Sequence, residues 1–208
     1  MSDPSQTVFI VDDDPSFLAT MTRWLRSFGY SPESYSSATD FLARRPEQVP
    51  GCVIADLEMP DMDGLELQRA LAGSSNPLPI IFLTGHGDIP SSVQAMRLGA
   101  EDFLVKTADK EQLLGAIERA LARDLREREA RLQQHEHESR FARLTPREED
   151  VLGHVVRGRL NKQIAADLGI TERSVKRHRT SIMHKLGVKS VAELVQLAIS
   201  AQVIGRTR

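Results

Sequence analysis

The sequence contains a single cysteine, Cys52, so the chain cannot form an internal disulfide. Because Cys52 lies in an apolar run, we expect a small buried side chain rather than a nucleophile. No stretch approaches the roughly 20 apolar residues of a membrane span, and Met1 to Gln6 lack the apolar core of a signal peptide. These absences predict a cytoplasmic protein that does not associate with membranes.

Charge is distributed unevenly along the 208 residues. Residues 1–122 carry a net charge of −9, residues 141–208 carry +7, and residues 123–140 hold five charges of each sign. This division predicts a domain at 1–122, a charged helical linker at 123–140 and a second domain at 141–208. An acidic half suggests a metal or phosphoryl site, and a basic half suggests nucleic acid; a merely polar surface is the alternative.

The first half alternates between short apolar runs and longer segments with helical periodicity. This alternation predicts a doubly wound parallel sheet of five strands with helices on both faces, an α/β fold. The predicted strands are 8–11, 31–35, 52–55, 80–83 and 103–105, and the predicted helices are 15–28, 38–43, 64–72, 89–98 and 109 onward.

Polar residues follow the predicted strands where parallel sheets place their ligands. Asp12 and Asp13 follow the first strand, Asp56 the third, Thr84 the fourth and Lys106 the fifth. Clustered carboxylates call for a hard divalent cation, most plausibly Mg²⁺. With the cation and Lys106 neutralising phosphoryl oxygens, Asp56 is the predicted acceptor of a phosphoryl group. Each residue taken alone is equally compatible with an ordinary strand end.

Four segments resemble the receiver domain of two-component response regulators: VFIVDDDP at 8–15, VIADLEMPDMDG at 53–64, PIIFLTGHGD at 79–88 and AEDFLVK at 100–106. The resemblance implies a flavodoxin-like fold with Asp56 as phosphoacceptor and Mg²⁺ held by Asp12, Asp13, Asp56 and the main-chain carbonyl of Glu58. It also implies that Thr84 and Phe103 are switch residues and that Lys106 senses the phosphoryl group.

Three residues in this half have other interpretations. Phe103 also fits a plain core position, and Glu58 also fits a solvated loop. His86, which has no second metal-ligating neighbour in sequence, is expected to be a loop residue. One departure from the family concerns Thr107, because receivers usually have proline after the lysine, joined by a cis bond. Without proline the cis form is costly, so the loop at Lys106 is expected to be set differently.

The second half predicts an all-α domain of four helices containing a helix-turn-helix. Thr145 to Glu148 form a capping-box pattern, Thr171 is positioned to cap the longest helix, and Gly187 ends it. Val175, Ile182 and Leu186 are predicted to be buried. The opposite face is predicted to be polar and positive, as a helix in the major groove requires. Its predicted members are Arg173, Lys176, Arg177, Thr180, Ser181 and His184.

The segments LTPREEDVL at 144–152, NKQIAADLGITERSVKRH at 161–178 and IMHKL at 182–186 resemble the LuxR-type helix-turn-helix of the FixJ/NarL class. Lys176, Arg177 and Thr180 match base-reading positions of that motif. Arg179, Lys185 and Lys189 are further candidates for contacts to the DNA backbone. His178 also matches a motif position, but it is equally compatible with a structural role. The resemblance implies double-stranded DNA as a partner and binding as a dimer to two half-sites.

In and just before the linker, apolar residues recur mostly at three- and four-residue steps: Leu114, Ile117, Leu121, Leu125 and Leu132. Such a stripe fits pairing with a second copy of the chain, although its first part fits packing against the receiver equally well.

The sequence therefore predicts a transcriptional regulator rather than an enzyme. A sensor histidine kinase would phosphorylate Asp56, and phosphorylation would promote homodimerisation and promoter binding. Two alternatives are a receiver inactive in phosphotransfer whose partner domain binds DNA constitutively, and a stand-alone aspartyl-phosphate phosphatase. The phosphatase alternative leaves the basic helical half unexplained.

Overall fold

A computed structural model describes residues 6–46, 48–85 and 89–201. The chain divides into two compact units, residues 1–128 and 129–208. His86 and the glycine after it lie outside the described residues. Within the described residues, no helix is both long and apolar enough to cross a membrane.

The first unit contains a five-stranded parallel sheet in the order β2-β1-β3-β4-β5. This confirms the predicted α/β fold, and the predicted boundaries differ from the observed ones by at most two residues. The elements are β1 (Thr7–Val11), α1 (Pro15–Ser27), β2 (Ser31–Tyr35), α2 (Ala38–Arg44), β3 (Gly51–Ala55), α3 (Gly64–Ala72), β4 (Ile80–Thr84), α4 (Ile89–Arg97), β5 (Asp102–Val105) and α5 (Lys110–Phe141).

Alternate residues of the central strands point into two separate hydrophobic clusters, one on each face of the sheet. Phe9, Val53 and Phe82 belong to one cluster, whereas Ile10 and Ile54 belong to the other. Because β1, β3 and β4 are buried along their whole length, their sequences are apolar runs and not alternating patterns. Helices cover both faces, so only the ends of the strands remain available for polar chemistry.

Local capping fixes where the helices of the first unit begin. The side chain of Asp14 accepts a hydrogen bond from Ser16 N at 2.8 Å, and Pro15 occupies the first turn of α1. Asp63 and Glu66 form a capping box at the start of α3. These caps fix the start of α1 after Asp12 and the start of α3 after Asp56.

The beginning of the predicted linker packs against the receiver sheet. Asp124 is 1% exposed and accepts hydrogen bonds from Gly51 N at 2.9 Å and Arg128 Nε at 2.7 Å. Arg128 also donates to Val49 O at 2.8 Å. A buried carboxylate between two charge-assisted hydrogen bonds anchors this part of α5 to the start of β3. Further along, Leu125 and Leu132 are exposed.

As predicted, the described part of the second unit, which ends at residue 201, contains four helices after α5. They are α6 (Pro146–Val156), α7 (Asn161–Leu168), α8 (Glu172–Leu186) and α9 (Val191–Ser200). Val151, Ile164, Val175, Ile182 and Leu186 are among the buried residues of a hydrophobic cluster in this unit.

The predicted caps of these helices are observed. Thr145 and Glu148 form a capping box at α6, and Thr171 accepts a hydrogen bond from Ser174 N at α8. Gly169, between α7 and α8, has a φ of 64°, a left-handed conformation that favours glycine. The turn between the two helices therefore depends on this glycine.

Candidate acidic site and nucleic-acid interface

Asp12 and Asp56 lie side by side at the carboxyl ends of two adjacent strands. β1 and β3 are adjacent and parallel, with Val11 paired to Ala55, so the next residue of each strand is a carboxylate at the same edge. Asp56 N donates to Val11 O at 2.9 Å, which continues the pairing. β1 lies between β2 and β3, which both follow it in the sequence, so the strand order reverses at β1, the kind of position where α/β sheets bind ligands.

Three carboxylates converge at this edge. Asp12, Asp13 and Asp56 each offer an oxygen, and the three oxygens lie within 4.8 Å of one another. Asp12 and Asp56 are buried, whereas Asp13 is exposed, so the cluster is open to solvent on one side. An oxygen-only donor set of this size fits a hard divalent cation such as Mg²⁺.

Lys106 reaches the same cluster from the end of β5. Its Nζ lies 2.6 Å from Asp12 Oδ2 and 2.7 Å from Asp56 Oδ2. Burial raises the pKa of Asp12, and its bonds to Lys106 and to Asp14 N offset this only in part. Burial alone would lower the pKa of Lys106, but hydrogen bonds to Asp12 and Asp56 outweigh burial and raise it. One ammonium thus faces three carboxylates, which leaves net negative charge at the site.

The two oxygens of Asp56 have different surroundings. Oδ1 accepts a hydrogen bond from Leu57 N at 2.6 Å, while Oδ2 faces Lys106. A Cβ at Gly64 would lie 2.6 Å from the main-chain oxygen of Asp56, so glycine is required for the close approach of α3. Glu58 is exposed and lines a cleft of about 560 Å³ together with Asp13.

Thr84 and Phe103 lie on the neighbouring strands β4 and β5. Thr84 is 1% exposed, and its carbonyl oxygen accepts a hydrogen bond from Lys106 N at 2.8 Å. Phe103 is partly buried, with its ring centroid 6.0 Å from that of Phe82. It also lines a cleft of about 570 Å³ beside Met96 of α4. The Lys106–Thr107 peptide bond is trans.

Sequence reasoning missed Phe17. The Nζ of Lys106 lies 4.3 Å from the centroid of the Phe17 ring, a cation–π distance. In the sequence Phe17 is only an apolar residue of a helical pattern. Phe17 and Lys106 are 89 positions apart, and no local sequence pattern predicts a contact between them.

In the second unit, one face of α8 is exposed and basic, as predicted. Arg173, Lys176, Arg177 and Thr180 are exposed. The side chains of the three cations form no hydrogen bond or ion pair with another described residue. Lys189, after the helix, is exposed as well. These cations are therefore available to an anionic partner.

Three other residues of α8 face inward, which sequence periodicity did not anticipate. Ser181 was predicted on the exposed face, but it is half-buried and its hydroxyl lies 2.7 Å from Glu148 Oε1, to which it donates; that prediction is wrong. Lys185 Nζ lies 2.6 Å from Glu148 Oε2. Arg179 donates to Asn161 Oδ1 at 2.6 Å. Lys185 and Arg179, predicted to contact DNA phosphates, are thus bonded within the unit.

Glu148 is the centre of this inward network. Burial would raise its pKa, but hydrogen bonds from Lys185, Thr145 N, Ser181 and the Thr145 hydroxyl lower the pKa to about 2. Sequence analysis identified Glu148 only as part of a capping box. Its contacts to α8 join residues 33 and 37 positions apart, and no local pattern reveals them.

Comparison with known proteins agrees with both halves. Residues 8–118 match the family described as response regulator receiver domain, and residues 142–198 match bacterial regulatory proteins of the luxR family. The response regulator protein TodT of Pseudomonas putida is 43% identical over 95% of this chain and 87% of its own length. The chain belongs to the response regulator family.

Other proteins match this response regulator along most of both chains. The transcriptional regulatory protein FixJ of Bradyrhizobium diazoefficiens is 34% identical over 95% of this chain and 96% of its own. Among solved structures, the response regulator StyR is 46% identical and aligns with a TM-score of 0.83 over 93% of this chain and 98% of its own. These similarities show a receiver domain joined to a LuxR-type DNA-binding domain, consistent with a transcriptional regulator.

Proposed function

We propose that this response regulator is a transcription factor controlled by phosphorylation of Asp56. The observation that carries the proposal is the convergence of Asp12, Asp13, Asp56 and Lys106 at one edge of the sheet. Three carboxylates with one ammonium leave a site that attracts a cation, and the exposed Asp13 leaves the cluster around the buried Asp56 open to solvent on one side, where a phosphoryl donor can approach. A cytoplasmic location is part of the same proposal.

Asp12, Asp13, Asp56 and the main-chain carbonyl of Glu58 would hold Mg²⁺. When bound, the ion would neutralise charge on the transferring group and let an anionic donor approach the carboxylates. In the transfer step an Asp56 oxygen forms a bond to phosphorus. The bond between phosphorus and a histidine nitrogen of a sensor kinase breaks, and that nitrogen keeps the electron pair. Lys106 then pairs with a phosphoryl oxygen.

Thr84 and Phe103 would carry the signal away from Asp56. The hydroxyl of Thr84 is expected to hydrogen-bond the new phosphoryl group, and Phe103 is expected to move inward behind it. Both residues belong to strands beside α4, and Phe103 already borders the cleft next to Met96. A shift in the two-state equilibrium of the 89–105 surface would favour dimers.

The dimer would place two α8 helices on adjacent DNA half-sites. Lys176, Arg177 and Thr180 are assigned to base edges, and Arg173 and Lys189 to phosphates. The exposure of these side chains supports the assignment. Lys185 and Arg179 instead receive a structural role, because each is already bonded inside the unit.

Labelling of the full chain by acetyl phosphate in the presence of Mg²⁺ tests the acceptor. We expect one phosphoryl group per wild-type chain and none for Asp56→Asn. Asp61→Asn is the matched control, because Asp61 is exposed and its φ of 69° is one that asparagine adopts readily. Stoichiometric labelling of D56N would refute the assignment of the acceptor.

DNA binding by the same proteins tests the control mechanism. With Mg²⁺ and beryllofluoride, a phosphoryl mimic, wild type and D61N are expected to bind promoter fragments more tightly, while D56N is not. Equal affinity with and without beryllofluoride would support the alternative in which DNA binding is constitutive. The trans bond to Thr107 is a reason to test that alternative, because receivers usually have a cis bond to proline there.

A further inference from the structure

The ammonium of Lys106 has a third neighbour besides the two carboxylates. Its Nζ lies 4.3 Å from the centroid of the Phe17 ring. Phe17 stands in the first turn of α1, is partly buried, and packs against the hydrophobic cluster that contains Ile10 and Ile54. The ring is therefore held by the sheet itself and offers Lys106 a fixed aromatic face.

We propose that Phe17 is a positioning residue for Lys106 in phosphoryl transfer at Asp56. This inference rests on the function proposed above. Phe17 would hold the ammonium over the acceptor while the charged partners of Lys106 change. It would act through Lys106, without touching the transferred group.

The reason lies in how the charges must be redistributed. Before transfer, Lys106 pairs with Asp12 and Asp56 at 2.6 and 2.7 Å. Once Asp56 is esterified, its carboxylate charge is gone and Lys106 must move its hydrogen bond to a phosphoryl oxygen. The aromatic ring attracts the ammonium but accepts no strong hydrogen bond. The contact with Phe17 can therefore persist while Lys106 exchanges the carboxylate of Asp56 for a phosphoryl oxygen.

Because Thr107 and not proline follows Lys106, the contact with the Phe17 ring matters more for holding Lys106 in place. A following proline would restrict the backbone of the lysine, but this chain has Thr107. Among the described backbone contacts, Lys106 is anchored by its N–H, which donates to Thr84 O at 2.8 Å. The contact with Phe17 restrains the other end of the same residue. Together the two contacts fix both the backbone and the ammonium of Lys106.

Substitution of Phe17 and measurement of labelling by acetyl phosphate test the proposal. Phe17→Leu keeps an apolar side chain but removes the aromatic face, so we expect labelling to slow about 3- to 10-fold. Phe17→Tyr keeps the face and should retain a rate near that of wild type. Phe28→Leu is the matched control, since Phe28 contacts Trp24 and not Lys106; its rate should not change.

A double-mutant cycle separates positioning from general packing. In a Lys106→Met background, Phe17→Leu should cause no further slowing, because there is no ammonium left to position. Equal slowing by F17L with and without Lys106 would overturn the proposal, as would equal slowing by F17L and F17Y. If F17L does not fold, a fluorinated phenylalanine at position 17 weakens the ring's attraction while keeping its shape, and should slow labelling in the same way.

A second readout does not need phosphoryl transfer. The same cycle is measured by urea unfolding of the full chain, followed by fluorescence of Trp24, the only tryptophan and a residue of the receiver unit. We expect Phe17 and Lys106 to stabilise each other there as well, and zero coupling would overturn the contact itself. If the cycle shows coupling in stability but acetyl phosphate never labels wild-type protein, the proposed function fails while the contact between Phe17 and Lys106 stands.

Discussion

Two lysine–carboxylate clusters, one in each unit, have similar chemistry but a different charge balance. Lys106 and Lys185 have similar side-chain exposures of 22% and 27%, and each lies within 2.7 Å of a buried carboxylate. Lys106 faces Asp12 and Asp56, with Asp13 beside them. Among the acidic residues that the structure describes, Lys185 pairs with Glu148 alone, and both oxygens of Glu148 accept hydrogen bonds.

The pKa values follow this balance. Burial raises the pKa of Asp12, and the interactions with Lys106 and Asp14 N, which lower this pKa, offset the burial only in part. The pKa of Glu148 falls to about 2, because hydrogen bonds to its carboxylate outweigh its burial. A cluster with surplus negative charge is suited to bind a cation and react, whereas a satisfied cluster holds two helices together. The number of compensating partners therefore separates the two roles, and exposure does not.

The largest expected effect comes from breaking the satisfied cluster. Glu148→Gln should lower the free energy of unfolding of the second unit by about 2–3 kcal/mol, because it removes a buried charge with several hydrogen bonds. Urea unfolding followed by far-UV circular dichroism measures this, while Trp24 fluorescence should report an unchanged receiver. The exposed Glu149 supplies the control: if E149Q costs as much as E148Q, the network has no special weight.

Cations of α8 should divide according to their partners. Arg173→Ala is expected to weaken DNA binding and to reduce the slope of log affinity against log salt by about 1, since Arg173 is exposed and is assigned to a phosphate. Lys185→Met should destabilise the unit but leave that salt dependence unchanged in folded protein. Lys110→Ala, which removes an exposed cation from the receiver, controls for net charge. An identical loss of salt dependence in R173A and K185M would contradict the division.

Acid should reveal the same network. Glu148 has a pKa of about 2 against an ordinary value of 4.5, so its contribution to stability is complete above pH 4.5 and is lost as the pH falls towards 2. Glu148→Gln should therefore have a flatter decline in stability over this range than wild type. Unfolding by urea at several pH values, followed by far-UV circular dichroism, gives the comparison; parallel declines would rule out Glu148 as a source of acid sensitivity.

The smallest effect should have the opposite sign. Asp13→Asn removes one surplus charge from the receiver cluster, so in EDTA we expect it to stabilise the first unit by about 0.5–1 kcal/mol. Added Mg²⁺ should stabilise wild type more than D13N, as Trp24 fluorescence during unfolding would show. Destabilisation by D13N in EDTA would mean that the cluster carries no surplus charge.

The sequence predicted what depends on order along the chain. Asp12 and Asp56 each follow a buried strand directly, so parallel pairing of the strands was enough to bring them together. The caps at Thr145 and Thr171 are local signals of the same kind. Phe17 and Ser181 were missed or misplaced because their partners lie on other elements. Periodicity gives the face of a helix but not which neighbour covers it.

For the same reason, the packing of the start of the linker could not be predicted from the sequence. Residues 123–140 were predicted to form a charged helical linker, yet Asp124 is buried and accepts a hydrogen bond from Gly51 N. Only the position of α5 beside β3 makes that contact possible, and composition carries no information about it.

Mapping the phosphoryl group tests the central claim most directly. Wild-type protein labelled by acetyl phosphate with Mg²⁺ is treated with borohydride, which reduces an acyl phosphate, and its peptides are analysed by mass spectrometry. The account predicts reduction at Asp56 and at no other carboxylate. Modification at Asp12 or Asp13 in place of Asp56, or none in protein that is folded and binds Mg²⁺, would contradict it.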